Sequence, residues 1–198
     1  MRKVLLLEHV SLDGYVAGPS GEMDWIHIPD EIWRFGDRLT ATSDAAIYGR
    51  NTYEMMAGYW PTAAAAPDAD RHAIDHANWV NNTQRYVVSK TLQAAPWGDA
   101  SCTILPGDPA GEIEHLRSQP GRNIFLVGSI TLAQRLMRAN LIDEYHLMLN
   151  PVLLGDGRPL FPTGLPEALN LNLVSSTKLP TGLLALHYEP YSEHGPIL

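Results

Sequence analysis

Apolar residues fall along the chain in two rhythms. Short, nearly continuous runs at 4–7 (VLLL), 45–48, 85–89 (RYVVS), 101–105 (SCTIL), 123–127 (NIFLV) and 144–149 predict strands covered on both faces. Between them lie segments with helical spacing. Residues 30–41 (DEIWRFGDRLTA) place Ile32, Phe35 and Leu39 on one face, and Asp30 and Glu31 suit the positive end of that helix dipole. Helices are also predicted over 51–57, 70–80 and 109–117, the last opened by Asp108 as N-cap and Pro109 at its first position. ITLAQRLMRANL brings Leu132, Leu136 and Met137 to one face and stops near Asn140, whereas PTAAAAPDA at 61–69 has the composition of a surface loop. Two runs, 170–177 and 182–189, are split by Pro180-Thr181-Gly182 and predict a terminal hairpin. The expected architecture is an α/β domain over 1–190, with helices on both faces of its sheet and a tail at 191–198.

Composition narrows the function. With 198 residues and 45% hydrophobic content the chain can bury one sizeable core. Fourteen Lys and Arg face 22 Asp and Glu, for a formal net charge of -8, and no basic block stands out. Nucleic acid and anionic membranes are therefore disfavoured as partners, and an anionic ligand needs local capture by a few donors. The single cysteine, Cys102, cannot form an internal disulfide, and the apolar N-terminal run is too short for a signal or membrane segment. A soluble cytoplasmic protein is expected.

Two strand-to-helix junctions carry candidate chemistry. In DAAIYGRNTYEMM, Gly49 permits close approach, Asn51 can cap the helix, and Glu54 stands at the reciprocal capping-box position. The N–H groups of Asn51 and Thr52, the Thr52 hydroxyl and the Arg50 guanidinium could together hold a phosphate; the alternative is an ordinary capped helix with a solvated Arg50. The second junction is Gly128-Ser129-Ile130-Thr131, where Ser129 can cap. Ser89-Lys90 adds a hydroxyl and a cation at the end of the third strand. Glu8 and His9 are polar at the end of an apolar strand and could line a pocket, as could Asp30 or Glu31. His72 and His76 have a metal-chelating i, i+4 spacing but lack the acidic residue of the zinc-protease helix, so a surface helix is expected there and no metal.

In order and content, SLDGYVAG at 11–18, IYGRNTYEMM at 47–56, YVVSKTL at 86–92, IFLVGSITLAQRL at 124–136 and LIDEYHLMLNPVLLGDGRPLF at 141–161 resemble the dihydrofolate-reductase-like superfamily. The nearest branch contains the reductase domain of bacterial riboflavin biosynthesis, the RibD C-terminal domain family. The resemblance implies a mixed, mostly parallel sheet with a C-terminal hairpin, NADPH as cofactor and hydride transfer to a small heterocyclic, carbonyl or imine substrate. It implies cofactor contacts at Gly49, Arg50, Asn51 and Thr52, at Ser89 and Lys90, at Gly128, Ser129, Ile130, Thr131 and Leu132, and at Gly14 in the loop over the nicotinamide. Substrate is expected among Glu8, His9, Trp25, Asp30, Pro151, Leu154 and Gly155, with Asp30, His9 and Asp13 as catalytic candidates and a homodimer as the assembly. Gly128-Ser129 stands where dihydrofolate reductases carry paired glycines. The alternatives are a nucleotide- or pterin-binding module without turnover, a true dihydrofolate reductase, and a metal-dependent enzyme centred on His72, Asp75 and His76.

Overall fold

The computed structural model describes residues 1–26 and 30–191. Its strands are β1 (Val4–Ser11), β2 (Tyr15–Ala17), β3 (Ser43–Gly49), β4 (Gln84–Val88), β5 (Pro96–Trp97), β6 (Ala100–Ser101), β7 (Thr103–Leu105), β8 (Asn123–Val127), β9 (Glu144–Asn150), β10 (Arg158–Pro159), β11 (Leu171–Lys178) and β12 (Leu184–Pro190). The helices are α1 (Asp30–Thr42), α2 (Arg50–Ala57), α3 (Trp60–Ala63), α4 (Arg71–Asn82), α5 (Pro109–Ser118) and α6 (Ile130–Arg138). Eight strands form one sheet in the order β11-β12-β9-β1-β8-β3-β4-β7. It is parallel from β9 through β7 and turns antiparallel where the terminal hairpin joins β9. The expected mixed, mostly parallel sheet is present, and the expected tail beyond Tyr191 lies outside the described residues.

The alternation of side chains along β1 explains the two layers. Val4, Leu6 and Val10 face Ile113, Leu116, Leu136 and Met137 of α5 and α6. Leu5 and Leu7 face the opposite way, toward Ile32, Phe35 and Leu39 of α1 and Trp79 of α4. Both faces are covered, so the strands read as unbroken apolar runs. Truncating a fully buried residue such as Leu6 or Leu136 to alanine should cost about 2–5 kcal/mol.

Charges close the amino ends of the central strands. The Arg2 side chain, 3% exposed, pairs with Asp44 and donates from Nε to the Arg122 carbonyl at 2.7 Å. Arg117 pairs with Asp143 at 2.7 Å, and Asp143 also accepts the Val4 N–H. Each of these charges has a partner, and Arg2, the buried one, requires it in a low dielectric.

Three local expectations are corrected. The segment 61–69 is not wholly loop, because Trp60–Ala63 forms a helical turn with Pro61 in its first positions and buries Ala63. The strand at 101–105 is interrupted at buried Cys102, so that Ala100–Ser101 pairs with Pro96–Trp97 and only Thr103–Leu105 joins the main sheet. Asn51 does not cap α2: the helix begins one residue earlier, with Gly49 as N-cap and no side-chain capping bond. Glu54 instead accepts from Arg50 Nε at 2.7 Å.

Candidate active site at the carboxyl ends of the central strands

Strand β1 registers with β8 from Val4↔Ile124 to Leu7↔Val127 and then runs on to Ser11 beside β9 alone. Strand β8 leaves the sheet at Gly128, opening a crevice between its end and Glu8. Chain order also reverses here, since β8 and β9 flank β1 on opposite sides. Ligands bind open α/β sheets at such switch points, beyond the carboxyl ends of the strands.

The first wall of the crevice is made by β3 and β8, which end side by side and lead into α2 and α6. A Cβ on Gly49 would overlap the Ser129 hydroxyl and stand 3.0 Å from the Ser129 Cβ; one on Gly128 would lie 3.2 Å from the Thr52 methyl. Only glycines let these strand ends come so close. Gly128 and Ser129 both adopt left-handed backbone, at φ +54° and +70°. Ser129 occupies the expected N-cap position of α6, yet its side chain makes no capping bond. Among the described residues no side-chain acceptor meets the first-turn N–H groups of either α2 or α6, which leaves them as donors for an anion.

Arg50 joins this wall to the end of β4. Its guanidinium is half exposed and donates to Glu54 and, at 3.0 Å, to Thr91 Oγ1. Buried Ser89 accepts the N–H groups of Thr91 and Leu92 on its hydroxyl, leaving Lys90 exposed on the turn. The three cofactor segments expected from the sequence are thus contiguous at the ends of β4, β3 and β8. Asn51 and Thr131 are exposed, whereas Leu132 is buried and Ile130 packs against the α6-side core, so those two position the segment through packing.

The second wall comes from the loop after β1. Gly14, at φ +88°, closes the turn by donating its N–H to the Ser11 carbonyl, and a side chain there would meet open space. The Asp13 carboxylate accepts from Ser11 Oγ at 2.6 Å, from the Leu154 N–H and from the Gly155 N–H at 2.8 Å. The Ser11 hydroxyl and these N–H groups hold its pKa below the usual carboxylate value. A carboxylate kept ionised in this way is a poor proton donor; Asp13 ties the loop to 154–155. Trp25 and Pro151 line a common cleft of about 280 Å³ with Asn150, Val152, Thr181 and Leu183. Thr181 and Leu183 belong to the turn region of the terminal hairpin; the sequence marked Thr181 as turn and Leu183 as strand, and neither as a site residue.

Glu8 and His9 sit at the mouth of the crevice and face opposite sides of β1, Glu8 toward the α6 layer and His9 toward the α1 layer. Glu8 Oε1 and His9 Nδ1 are both buried, with no hydrogen-bond partner among the described residues. Desolvation pushes the Glu8 carboxyl up to about 8 and His9 down to about 4. At neutral pH Glu8 thus keeps its proton and His9 is uncharged. Asp30 is the first residue of α1, and its side chain lies outside the described residues. His72 and His76 lie side by side with ring centroids 5.6 Å apart, His72 stacked on Trp33 at 3.8 Å and His76 packed on Trp60, but Asp75 turns away to pair with Arg71 at 2.6 Å, and the three form no ligand cluster among the described residues. None of the helices among the described residues is long and apolar enough to cross a membrane.

This arrangement has close relatives. The family model described as RibD C-terminal domain matches residues 2–185. The chain is 30% identical over 189 residues to the uncharacterized protein YyaP of Bacillus subtilis, with 94% of each chain covered, and 30% identical over 164 residues to YwjB of the same organism. Among solved structures it resembles a putative riboflavin biosynthesis protein from Shewanella sp. PV-4, with a TM-score of 0.75 and 26% identity over 97% of this chain and 100% of that one. A pyrimidine reductase-like protein from Corynebacterium diphtheriae shares the fold at a TM-score of 0.66 and 14% identity, covering 97% of this chain and 93% of that one.

Proposed function

The chain belongs to the RibD C-terminal domain family, and on that premise we propose that it is an NADPH-dependent reductase of a small heterocyclic, carbonyl or imine substrate. One observation carries the reading: two helix starts without side-chain caps meet across Gly49 and Ser129 at the switch point, flanked by the exposed cations Arg50 and Lys90. A dinucleotide phosphate fits that donor set, and it supplies the local capture that a chain of net charge -8 requires. Arg50 and the first turn of α2 would hold the pyrophosphate, and Lys90 would meet the adenosine 2′-phosphate. When bound, the nicotinamide supplies the hydride.

The protein's own part is to place the substrate and supply a proton. The substrate would enter the cleft beside Trp25 and Pro151 and reach β1 at His9. Neutral His9 would accept or donate a hydrogen bond to the substrate without carrying charge. Glu8, protonated at neutral pH, faces the other layer of the sheet, so its proton would reach a substrate at His9 through water. The loop tie through Asp13 would exclude water from the crevice. A second copy of the chain is the proposed partner, because edge strand β11 leaves Leu173 and Val174 exposed.

Calorimetric titration of cofactor-free protein with NADPH and NADH tests this directly. Tight NADPH binding with clear preference over NADH is expected, followed by substrate-dependent loss of NADPH absorbance. Binding without turnover across carbonyl, pterin and pyrimidine compounds would favour the non-catalytic nucleotide-binding module. Failure to bind either nucleotide would sink both readings. Thr52→Ala, which removes the hydroxyl and methyl facing Gly128, should weaken NADPH binding; unchanged affinity would remove Thr52 from the phosphate grip.

A further inference from the structure

On the α1 face of the sheet, away from the crevice, two strands bring three ligating side chains together. Glu144 and His146 are two residues apart on β9 and so point to the same face. His187 on β12 lies directly opposite His146 in the antiparallel register. Glu144, His146 and His187 each offer one ligand atom, all within 4.8 Å of one another. His146 Nε2 stands 3.0 Å and His187 Nε2 3.5 Å from the same oxygen, Glu144 Oε2. Tetrahedral ligands at the usual zinc bond lengths of about 2.0–2.2 Å stand roughly 3.3–3.5 Å apart, so each imidazole already stands near bonding spacing from Glu144, and the imidazole pair, within 4.8 Å, would close in on the ion.

The remaining contacts already suit an ion. Lys3 Nζ takes the other carboxylate oxygen, Oε1, at 2.7 Å, which fixes Glu144 with Oε2 toward the imidazoles. An outer partner of this kind orients a metal-ligating carboxylate. The His187 Nε2 is buried and makes no hydrogen bond among the described residues, although it lies 3.5 Å from the Glu144 carboxylate. The rings of His146 and His187 stack with centroids 4.2 Å apart, so they are already adjacent and would turn about their own side-chain bonds to bring both Nε2 lone pairs onto one ion.

We propose that Glu144, His146 and His187 bind a divalent transition-metal ion of the zinc class, with solvent completing the coordination. Two imidazoles and one carboxylate select zinc, cobalt or nickel over magnesium and calcium, which prefer oxygen throughout. The ion would clamp β12 to β9 and so fix the hairpin whose turn lines the Trp25 cleft. Nothing in this site depends on the nucleotide crevice.

The test is titration of chelator-stripped protein with Co2+, followed by displacement with Zn2+. The expected result is a one-equivalent visible d–d spectrum that Zn2+ abolishes, together with a Zn2+-dependent rise in melting temperature. His187→Gln and His146→Gln should each lower affinity more than about tenfold, while exposed His115→Gln should leave it unchanged. Circular dichroism of metal-free His187→Gln checks that the variant folds, and the wild-type Co2+ spectrum stands independently of any variant. No saturable Co2+ signal, or one that survives His187→Gln, overturns the proposal.

Discussion

Helices α5 and α6 are neighbours on one face of the sheet, each entered from a parallel strand, yet their first turns are built differently. At α5, Asp108 accepts the N–H groups of Ala110 and Gly111, Pro109 fills a position that needs no donor, and Glu112 reaches back to the Gly107 N–H. At α6, the N-cap is a left-handed Ser129 with no side-chain capping bond, and no acid stands in the first turn. α4 follows the first pattern through Asp70, and α2 follows the second. The capped pair satisfies its own donors, as a helix kept for stability should. The uncapped pair follows the central strands β3 and β8, where the sheet opens. There the helix starts carry no side-chain cap, the feature on which the proposed anion grip rests.

The sharpest way to break this contrast is Gly49→Ala. The new methyl has no room beside Ser129, and such overpacking costs about 1–3 kcal/mol. Chemical denaturation should show that loss, with NADPH affinity reduced at least about tenfold on the 1.4 kcal/mol-per-decade scale. Adding Ser129→Gly should restore part of both. Full stability and affinity in the single variant would show that the close approach of the two strand ends is unnecessary.

A crossed pair of substitutions comes next in size. Asp108→Ala should cost about 1 kcal/mol of stability and leave NADPH affinity unchanged. Arg50→Ala should do the reverse. Its exposed i, i+4 pair with Glu54 is worth about 0.3–0.5 kcal/mol. A lost charge-assisted bond to phosphate is worth about 1.5–3 kcal/mol, or roughly ten- to a hundredfold in affinity. If Arg50→Ala melts early and binds normally, the uncapped junction is structural like the capped one.

The third effect is a slope with pH. Glu8 is pushed up to about 8, so the native state holds a proton that the unfolded chain releases near the ordinary value of 4.5. The native state binds the extra proton between those values, and stability from this group therefore falls as pH rises from about 5 to 8. Glu8→Gln should match the wild type at pH 5 and exceed it at pH 8 in thermal melts. His9, held down to about 4, contributes the opposite slope between 4 and 6.5, and it cancels because both proteins carry it. Parallel melting curves at all pH values would mean that Glu8 titrates normally.

How much of this was legible beforehand depended on range. The strands at 4–7, 45–48 and 123–127 and the Asp108-Pro109 helix start were readable because periodicity and capping act over a few residues. The start of α2 was misread because Asn51 and Glu54 match a capping box by spacing. Their use was decided by Arg50, which takes Glu54, and by Gly49, which must sit against Ser129 from another strand. The loop assigned to 61–69 holds from residue 64 onward, but at 60–63 burial of Ala63 beneath tertiary neighbours outweighs a weak local preference. Thr181 and Leu183 were missed in the cleft because the hairpin's destination is set by pairing with β9, far off in sequence.

By itself, then, the sequence determined what local chemistry can determine: apolar runs long enough for covered strands, amphipathic helices, glycines where strands end, and motifs in an order that named the family. The tertiary structure alone decided which polar groups remain unpaired. Adjacent residues such as Glu8 and His9 look alike in sequence, yet β-strand alternation sends them to opposite layers, and desolvation then drives their proton affinities apart. Glu144, His146 and His187 likewise become neighbours only through the pairing of β9 with β12. Burial and partnership are properties of the packed molecule, and they convert ordinary residues into chemistry.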